Sequence, residues 1–421
     1  MVNTEARFKT ERRNDFRTST QVDRDRILYS RHFQRLAEVT QVVSADRGYV
    51  FHNRLTHSLK VAQLARRIAE KLQKTSVRPG EIDPDAAEAA ALAHDLGHPP
   101  FGHIAETKLN ELTRKAGVRD GFNGNAQSFR IVATLAVGDA VAADSGLPVP
   151  RGLNLTRRTL DGILKYPWRH RGDPKKWGVY ETEVPIFRWV RAGYPNGSRR
   201  RSVEAEVMDW ADDITYAVHD LVDFYCAGQI PIDRIADQKT SLERDQFLKN
   251  VFFRRKDLNP RRGILEKAFT EIIELFAAID RHYEGSLEQK HNLWQLTTVL
   301  ITLFVNAFRL SSTADRTSKV ICDQAARDQI LMLKELTWQY VILRHDLAAQ
   351  QHGQQEAIET VFVALLKNSK KKRGPKLFPL EYQEELDAAK SDSLLRKRIV
   401  TDFVASMSEG ELMRMYRSLR G

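Results

Sequence analysis

Apolar residues recur along this chain at helical spacing almost throughout, and strand-like alternation is almost absent. Between positions 25 and 43, Ile27, Leu28, Phe33, Leu36 and Val39 mark one helical stretch. Leu59, Ala62, Leu64, Ala65, Ile68 and Leu72 mark a second. Asp83-Pro84 supplies an N-cap with proline at the first helical position. The segment DAAEAAALAHD is therefore predicted as a helix that runs into His94-Asp95 and is stopped by Gly97 and Pro99-Pro100. A long helix is expected over 204–225, where Val207, Trp210, Ala211, Ile214, Val218, Leu221, Val222 and Tyr225 form one apolar stripe. Amphipathic helices follow over 264–309 and 325–366, and the predicted fold class is all-α.

Two stretches break the pattern. Positions 138–202 are rich in Gly, Pro and Arg and predict loops and short elements, a lid or an oligomer contact. KNSKKKRGPK, from 367 to 376, predicts a solvated basic loop. The expected organisation is a core over 1–230 that carries the 138–202 insertion, with a helical region over 231–421 packed on it. No internal repeat is visible.

Composition narrows the picture. The chain has 421 residues, of which 42% are hydrophobic, enough for a large core. Its formal charge of +11 favours polyanionic partners such as nucleotides or nucleic acid. The two cysteines, Cys226 and Cys322, exclude a disulfide framework and a cysteine-built zinc site. The chain begins with a polar stretch, and the longest apolar stretch, near 299–308, is too short to cross a bilayer. A cytoplasmic protein with no membrane partner is expected.

Three pieces carry candidate chemistry: His57 in NRLTHSLKV, His94-Asp95 in LAHDLGHPPFGH, and an acid in MDWADDITYAVHD. Two imidazoles and two carboxylates can surround one divalent ion and leave positions for water and a phosphate oxygen. His219-Asp220 and His345-Asp346 are also HD pairs; His345-Asp346 lacks the Gly-Pro turn and the second histidine and serves as an internal control. Helical periodicity does not choose between Asp212 and Asp213, which flank the apolar stripe about equally.

HNRLTHS, AHDLGHPPFGHIAE, GNAQSFRIV and ADDITYAVHD, in that order, resemble the deoxyguanosine triphosphate triphosphohydrolase family of HD phosphohydrolases. The resemblance extends to DRDRILYSRHFQRLAEVTQV upstream and VTDFVASMSEGELMRMY downstream, and is weakest over 138–202. It implies an HD-domain helical fold with additional C-terminal helices. It also implies that water attacks the α-phosphorus of a deoxynucleoside triphosphate (dNTP), releasing deoxynucleoside and triphosphate. The metal ligands implied are His57, His94, Asp95 and Asp212. Asp212 is chosen because the family pattern of acid, Tyr and Asp at four-residue steps fits Asp212, Tyr216 and Asp220. Asp213 is then expected to reach an arginine or a second histidine.

The same resemblance makes His103 and Glu106 a catalytic pair, with His98 beside the phosphates, and a three-residue step does put 103 and 106 on one helical face. Arg54 matches a phosphate-gripping arginine. Tyr216 matches the tyrosine under the deoxyribose, and Gln41 with Asp220 the pair at its 3′-hydroxyl. Asn125 and Gln127 lie in the motif that borders the site. The donor set accepts Mn²⁺, Mg²⁺, Fe²⁺, Co²⁺, Ni²⁺ or Zn²⁺. A homo-oligomer, tetramer or hexamer, is expected. Rival readings are another nucleotide substrate (a nucleoside monophosphate, a cyclic nucleotide or an alarmone), or a single-stranded nucleic-acid sensor using the basic runs 199–201 and 370–373.

Overall fold

Thr18 starts the first helix, α1 (Ser19–Tyr29), through a capping box with Gln21. Ser30 then adopts an extended backbone and caps α2 (Arg31–Arg35), its hydroxyl accepting from Phe33 N. The single helix expected over 25–43 is thus broken by a serine that serves as C-cap and N-cap at once. The computed structural model describes residues 2–11, 14–41, 53–76, 78–137, 152–171, 175–237, 239–312, 319–371 and 376–421, with the side chains of 345–348 left aside. Expected features at 42–43, 138–151 and 372–373, and the side chains of the control pair His345-Asp346, therefore lie outside the described residues.

Asp83 caps α4 (Pro84–Ala93), as the sequence predicts, and Asn53 caps α3 (Arg54–Thr75), which starts ahead of the predicted apolar stretch. Six alanines of α4 are completely buried, because this helix packs against α1 and α3 and against two later helices, α7 (Arg157–Ile163) and α9 (Val203–Thr215). Small side chains let the surrounding backbones approach closely. Between α4 and α9 the chain adds α5 (Gly102–Lys115), α6 (Gly124–Arg130), α7 and α8 (Val184–Val190). The 138–202 segment accordingly contains two short helices as well as loops. The helix expected over 204–225 is α9 and α10 (Leu221–Cys226), joined by a π-type turn at Tyr216–Asp220.

Farther on come α11 (Ile232–Ile235), α12 (Leu242–Arg254), α13 (Arg262–Ile273), α14 (Leu287–Asn306), α15 (Gln324–Thr337), α16 (His345–Asn368), α17 (Leu380–Ala388), α18 (Ser393–Ser406) and α19 (Glu409–Arg420). The helical stretch expected over 264–309 is interrupted between α13 and α14. Among the described residues the only sheet is a two-stranded antiparallel pair, Phe308–Leu310 with Val320–Cys322. The fold is all-α otherwise. No described helix is long and apolar enough to cross a membrane.

Apolar packing falls into two main clusters, with a small third one of Ala126, Trp177 and Tyr180. The larger runs from Ile27 to Val341, so residues on both sides of position 230 share it. The smaller joins α5 to the last helices through Leu109, Phe122, Phe362 and Phe403. A buried polar link crosses between them: both oxygens of Asp402 on α18 accept from Arg130 on α6, and Oδ1 also accepts from Gln127 at 2.9 Å. Arg130 also pairs with buried Glu183. Removing one partner of a buried ion pair leaves a desolvated charge. Asp402→Ala should therefore lower unfolding free energy by roughly 3 kcal/mol. Urea denaturation followed by circular dichroism checks this, and an unchanged midpoint contradicts it.

Candidate metal centre and cavity

Three helical elements bring the candidate ligands together. α3 presents His57, the turn after α4 presents His94 and Asp95, and α9 presents Asp212. His57, His94 and Asp212 offer ligand atoms within 4.8 Å of one another. His57 Nε2 lies 3.2 Å from Asp212 Oδ1, and His94 Nε2 lies 3.7 Å from the same oxygen. Asp95 Oδ1 is 3.4 Å from His94 Nε2, which adds the fourth group.

The donor set fits a divalent cation. His94 Nδ1 donates to Ala91 O at 2.6 Å, which fixes the tautomer and directs the Nε2 lone pair into the cluster. That Nε2 is buried and has no hydrogen-bond partner among the described residues. His57 Nδ1 faces Asp220 Oδ1 at 3.4 Å, the arrangement that orients a ligating imidazole. Burial alone lowers the pKa of His57, yet the carboxylates of Asp220 and Asp212 outweigh it and raise the value to about 10. The cluster therefore calls for positive charge. Arg54 Nη1 binds Asp95 Oδ2 at 2.6 Å, and Lys165 Nζ binds Asp212 Oδ2 at 2.9 Å and Asp209 at 2.7 Å, so each carboxylate keeps one oxygen for the centre. Despite burial, Asp95 is held well below the usual carboxylate range by His94, His98 and Arg54, and Asp212 by Lys165 and the two histidines.

Gly97 lets the histidine turn meet α6. A Cβ there would overlap Gly124 O and Ser128 N. In its place Gly97 N donates to Ser128 Oγ at 2.9 Å, and Ser128 Oγ donates to His94 O at 2.8 Å. His98 Nδ1 lies 3.0 Å from Asp95 Oδ1, and its ring packs against Gly124. Farther along, Phe101 and Gly102 adopt φ of 67° and 61°, a left-handed turn that starts α5. His103 Nδ1 then reaches Glu106 Oε2 at 3.0 Å, while Gly124 N donates to Glu106 Oε1 at 2.9 Å. His103 is 70% exposed and Glu106 buried, so a fixed carboxylate orients a ring that faces the cavity. Burial opposes ionisation of Glu106, but His103, His98 and Lys176 hold its pKa well below the carboxylate norm.

His94, Asp95, His98, His103, Glu106 and Asp212 line one cavity of about 1050 Å³, with His57 behind them. Lys165, Lys175, Lys176, Arg254, Arg255 and Lys334 give it a cationic wall suited to a polyphosphate. Gln41, Arg54, Asn125 and Tyr216 also line it.

The structure places three of the expected residues elsewhere than on the cavity wall or the expected partner. Asp220, at the end of the π-type turn, is not among the residues that line the cavity: it is buried behind His57, with Oδ1 3.4 Å from His57 Nδ1. Gln127 does not line it either, because its amide is used on Asp402. Asp213 reaches Lys334 at 2.5 Å, not an arginine or histidine. Gly124 and Ser128, not Gln127, carry the GNAQS motif's contact with the turn. Lys165, Lys176 and Lys334 were not singled out from sequence, since a lysine in a loop or on an amphipathic helix looks solvated. Of the basic runs, Arg201 pairs with Asp209 and Arg199 lies over the Trp168 ring.

The HD domain family matches residues 54–217, and the phosphohydrolase-associated domain matches residues 320–418. A deoxyguanosinetriphosphate triphosphohydrolase-like protein of Streptomyces coelicolor is 34% identical, covering 96% of this chain and 93% of its own. One of the same name from Corynebacterium efficiens is 34% identical, with 97% and 92% covered. One from Shewanella pealeana is 28% identical, with 97% and 93% covered.

A cation entering the cluster must displace the proton that His57 otherwise keeps up to about pH 10. Metal affinity should therefore rise with pH, by roughly tenfold per unit for one released proton. Calorimetric Mn²⁺ titration at pH 6.5 and 8.5, in buffers of different ionisation heat, measures both quantities. Equal affinity at the two pH values, with no proton released, removes His57 from the ligand set.

Proposed function

The chain belongs to the deoxyguanosinetriphosphate triphosphohydrolase-like family of HD-domain proteins, and from that premise we propose that it hydrolyses dNTPs to deoxynucleoside and inorganic triphosphate. The observation that carries this reading is the two-histidine, two-carboxylate cluster at a cavity with a cationic wall that Tyr216 also lines. His57, His94, Asp95 and Asp212 would hold a divalent ion. When bound, such an ion supplies Lewis acidity toward a phosphate oxygen and toward water.

The chain's own residues do the rest. Arg54 holds Asp95 and lies in the cavity wall, where its guanidinium can meet a phosphate. Lys165, Lys176 and Lys334 offset the charge of the triphosphate. His98, beside Asp95, contacts the phosphate that is attacked. Water oxygen bonds to the α-phosphorus as the bond from that phosphorus to the 5′-oxygen breaks. His103 gives its Nε2 proton to the leaving 5′-oxygen, and Glu106, on its Nδ1, stabilises the imidazolium before transfer. Tyr216 and Gln41 face the sugar and Asn125 borders the site, while Asp220 holds His57.

The testing experiment is incubation with each dNTP and NTP plus Mn²⁺ or Mg²⁺, read by phosphorus NMR. Triphosphate is expected from dNTPs. Pyrophosphate with a nucleoside monophosphate overturns the reading.

Two variants probe the roles. His103→Ala should keep metal and nucleotide binding but lower kcat by roughly 10²–10⁴-fold, the usual worth of general acid catalysis. A fall under about threefold removes His103 from the mechanism. Tyr216 sits one helical turn beyond Asp212, where a ring against C2′ leaves a 2′-hydroxyl without space or a partner, a penalty of about 1–3 kcal/mol. Wild type should favour dGTP over GTP in kcat/KM, and Tyr216→Ala should narrow the ratio mainly by losing dGTP activity. An unchanged ratio makes Tyr216 a packing residue only.

A further inference from the structure

The turn that delivers His103 is held from the far end of the chain. Ser408 caps α19, and Glu409 is the first residue of that helix. Glu409 Oε1 accepts from Thr40 N at 2.8 Å and from Phe101 N at 3.2 Å, while Oε2 accepts from Thr40 Oγ1 at 2.9 Å. One carboxylate thus clasps two segments that are 61 residues apart in sequence (40 and 101) and that both border the cavity.

Each segment leads directly to a site residue. Thr40 precedes Gln41 and pairs with Asn53 in an antiparallel bridge, and Arg54 N donates to Val39 O at 3.0 Å, so this strand-like contact fixes the start of α3. Phe101 has φ of 67°, a conformation that costs a non-glycine residue free energy and persists only where its surroundings enforce it. Its N–H is the group that Glu409 holds, two residues before His103. Arg35 reinforces the same seam: Nη1 donates to Met407 O at 2.9 Å, and Nη2 to Leu96 O at 3.1 Å and His98 O at 2.7 Å.

We propose that Glu409 is a positioning residue for the hydrolytic reaction. Through Phe101 N it fixes the left-handed turn that aims His103, and through Thr40 it fixes the wall at Gln41. The C-terminal helices are then part of the catalytic apparatus although they supply no group that touches the substrate. The inference rests on His103 being the proton donor proposed above.

Its signature is reach, not charge. In Glu409→Gln the amide oxygen still accepts from both N–H groups, and the amide N–H donates to Thr40 Oγ1, so all three contacts survive. Glu409→Asp keeps the charge at the helix start but is one methylene too short to span both segments. We expect Glu409→Ala and Glu409→Asp to lose about 10–100-fold in kcat, the usual effect of removing a partner that orients a working group. Bound metal should change less than about threefold, KM should rise by less than kcat falls, and Glu409→Gln should stay within about threefold of wild type. In a His103→Ala background, Glu409→Asp should cost less than about threefold further, because the group it positions is gone.

Amide hydrogen exchange of peptides over 96–104 supplies a readout independent of activity. Exchange should rise in the Asp and Ala variants and stay at the wild-type level in Gln. Asp and Gln behaving alike in both assays overturns the proposal, as does a full additional loss in the His103→Ala background. If wild type does not hydrolyse dNTPs, the functional reading falls, and the exchange pattern alone decides whether Glu409 holds the turn.

Discussion

Asp95, Asp212 and Asp220 lie together with two imidazoles, and a cluster of this kind is tolerated only if each charge finds compensation. Much of the architecture answers that demand. Arg54 and Lys165 each neutralise the outer oxygen of one candidate ligand carboxylate, Asp220 sits on the outer nitrogen of His57, and Ala91 O takes the outer N–H of His94. What remains inward is two imidazole lone pairs and two carboxylate oxygens aimed at one point. The alanines of α4 make this possible, since larger side chains would separate α3 and α9 and pull His57 from Asp212.

Compensation also explains why the site draws on the whole length of the chain. The turn 94–103 contains only short-range hydrogen bonds of its own, with glycines where α6 and Arg54 press closest. Its shape is imposed from outside: by Ser128 and Gly124 on α6, by Arg35 on α2, and by Glu409 on α19. α6 is in turn tied to α18 through Arg130 and Asp402. The C-terminal helices therefore act as a brace, and the second apolar cluster along α5 is the packing that seats it.

The sequence shows the parts governed by local rules. The cap at Asp83 and the alanine-rich helix it opens follow from spacing and residue chemistry alone, and a three-residue step is enough to put His103 and Glu106, paired by the resemblance, on one helical face. The convergence of His57, His94, Asp95 and Asp212 was legible through family resemblance and not through periodicity, which left Asp212 and Asp213 equivalent. What stayed hidden depends on long-range geometry. A π-type turn has no compositional mark, so nothing in YAVHD announces that Asp220 turns behind His57. Gln127 lies in a motif at the site, yet its amide faces a partner 275 residues away. Lys165 lies in a Gly-, Pro- and Arg-rich segment that reads as loops and short elements, although it is half-buried against two aspartates. Ser30 breaks an otherwise continuous apolar pattern only because its hydroxyl finds Phe33 N.

The most direct measurement is anomalous diffraction at the manganese edge from crystals soaked in Mn²⁺. The account predicts one strong peak at about 2.0–2.3 Å from His57 Nε2, His94 Nε2, Asp95 and Asp212. The neighbouring group of His98, His103 and Glu106, whose ligand atoms also lie within 4.8 Å of one another, should show none. A peak confined to that second group, or no peak in crystals of protein that still turns over dNTPs, contradicts it.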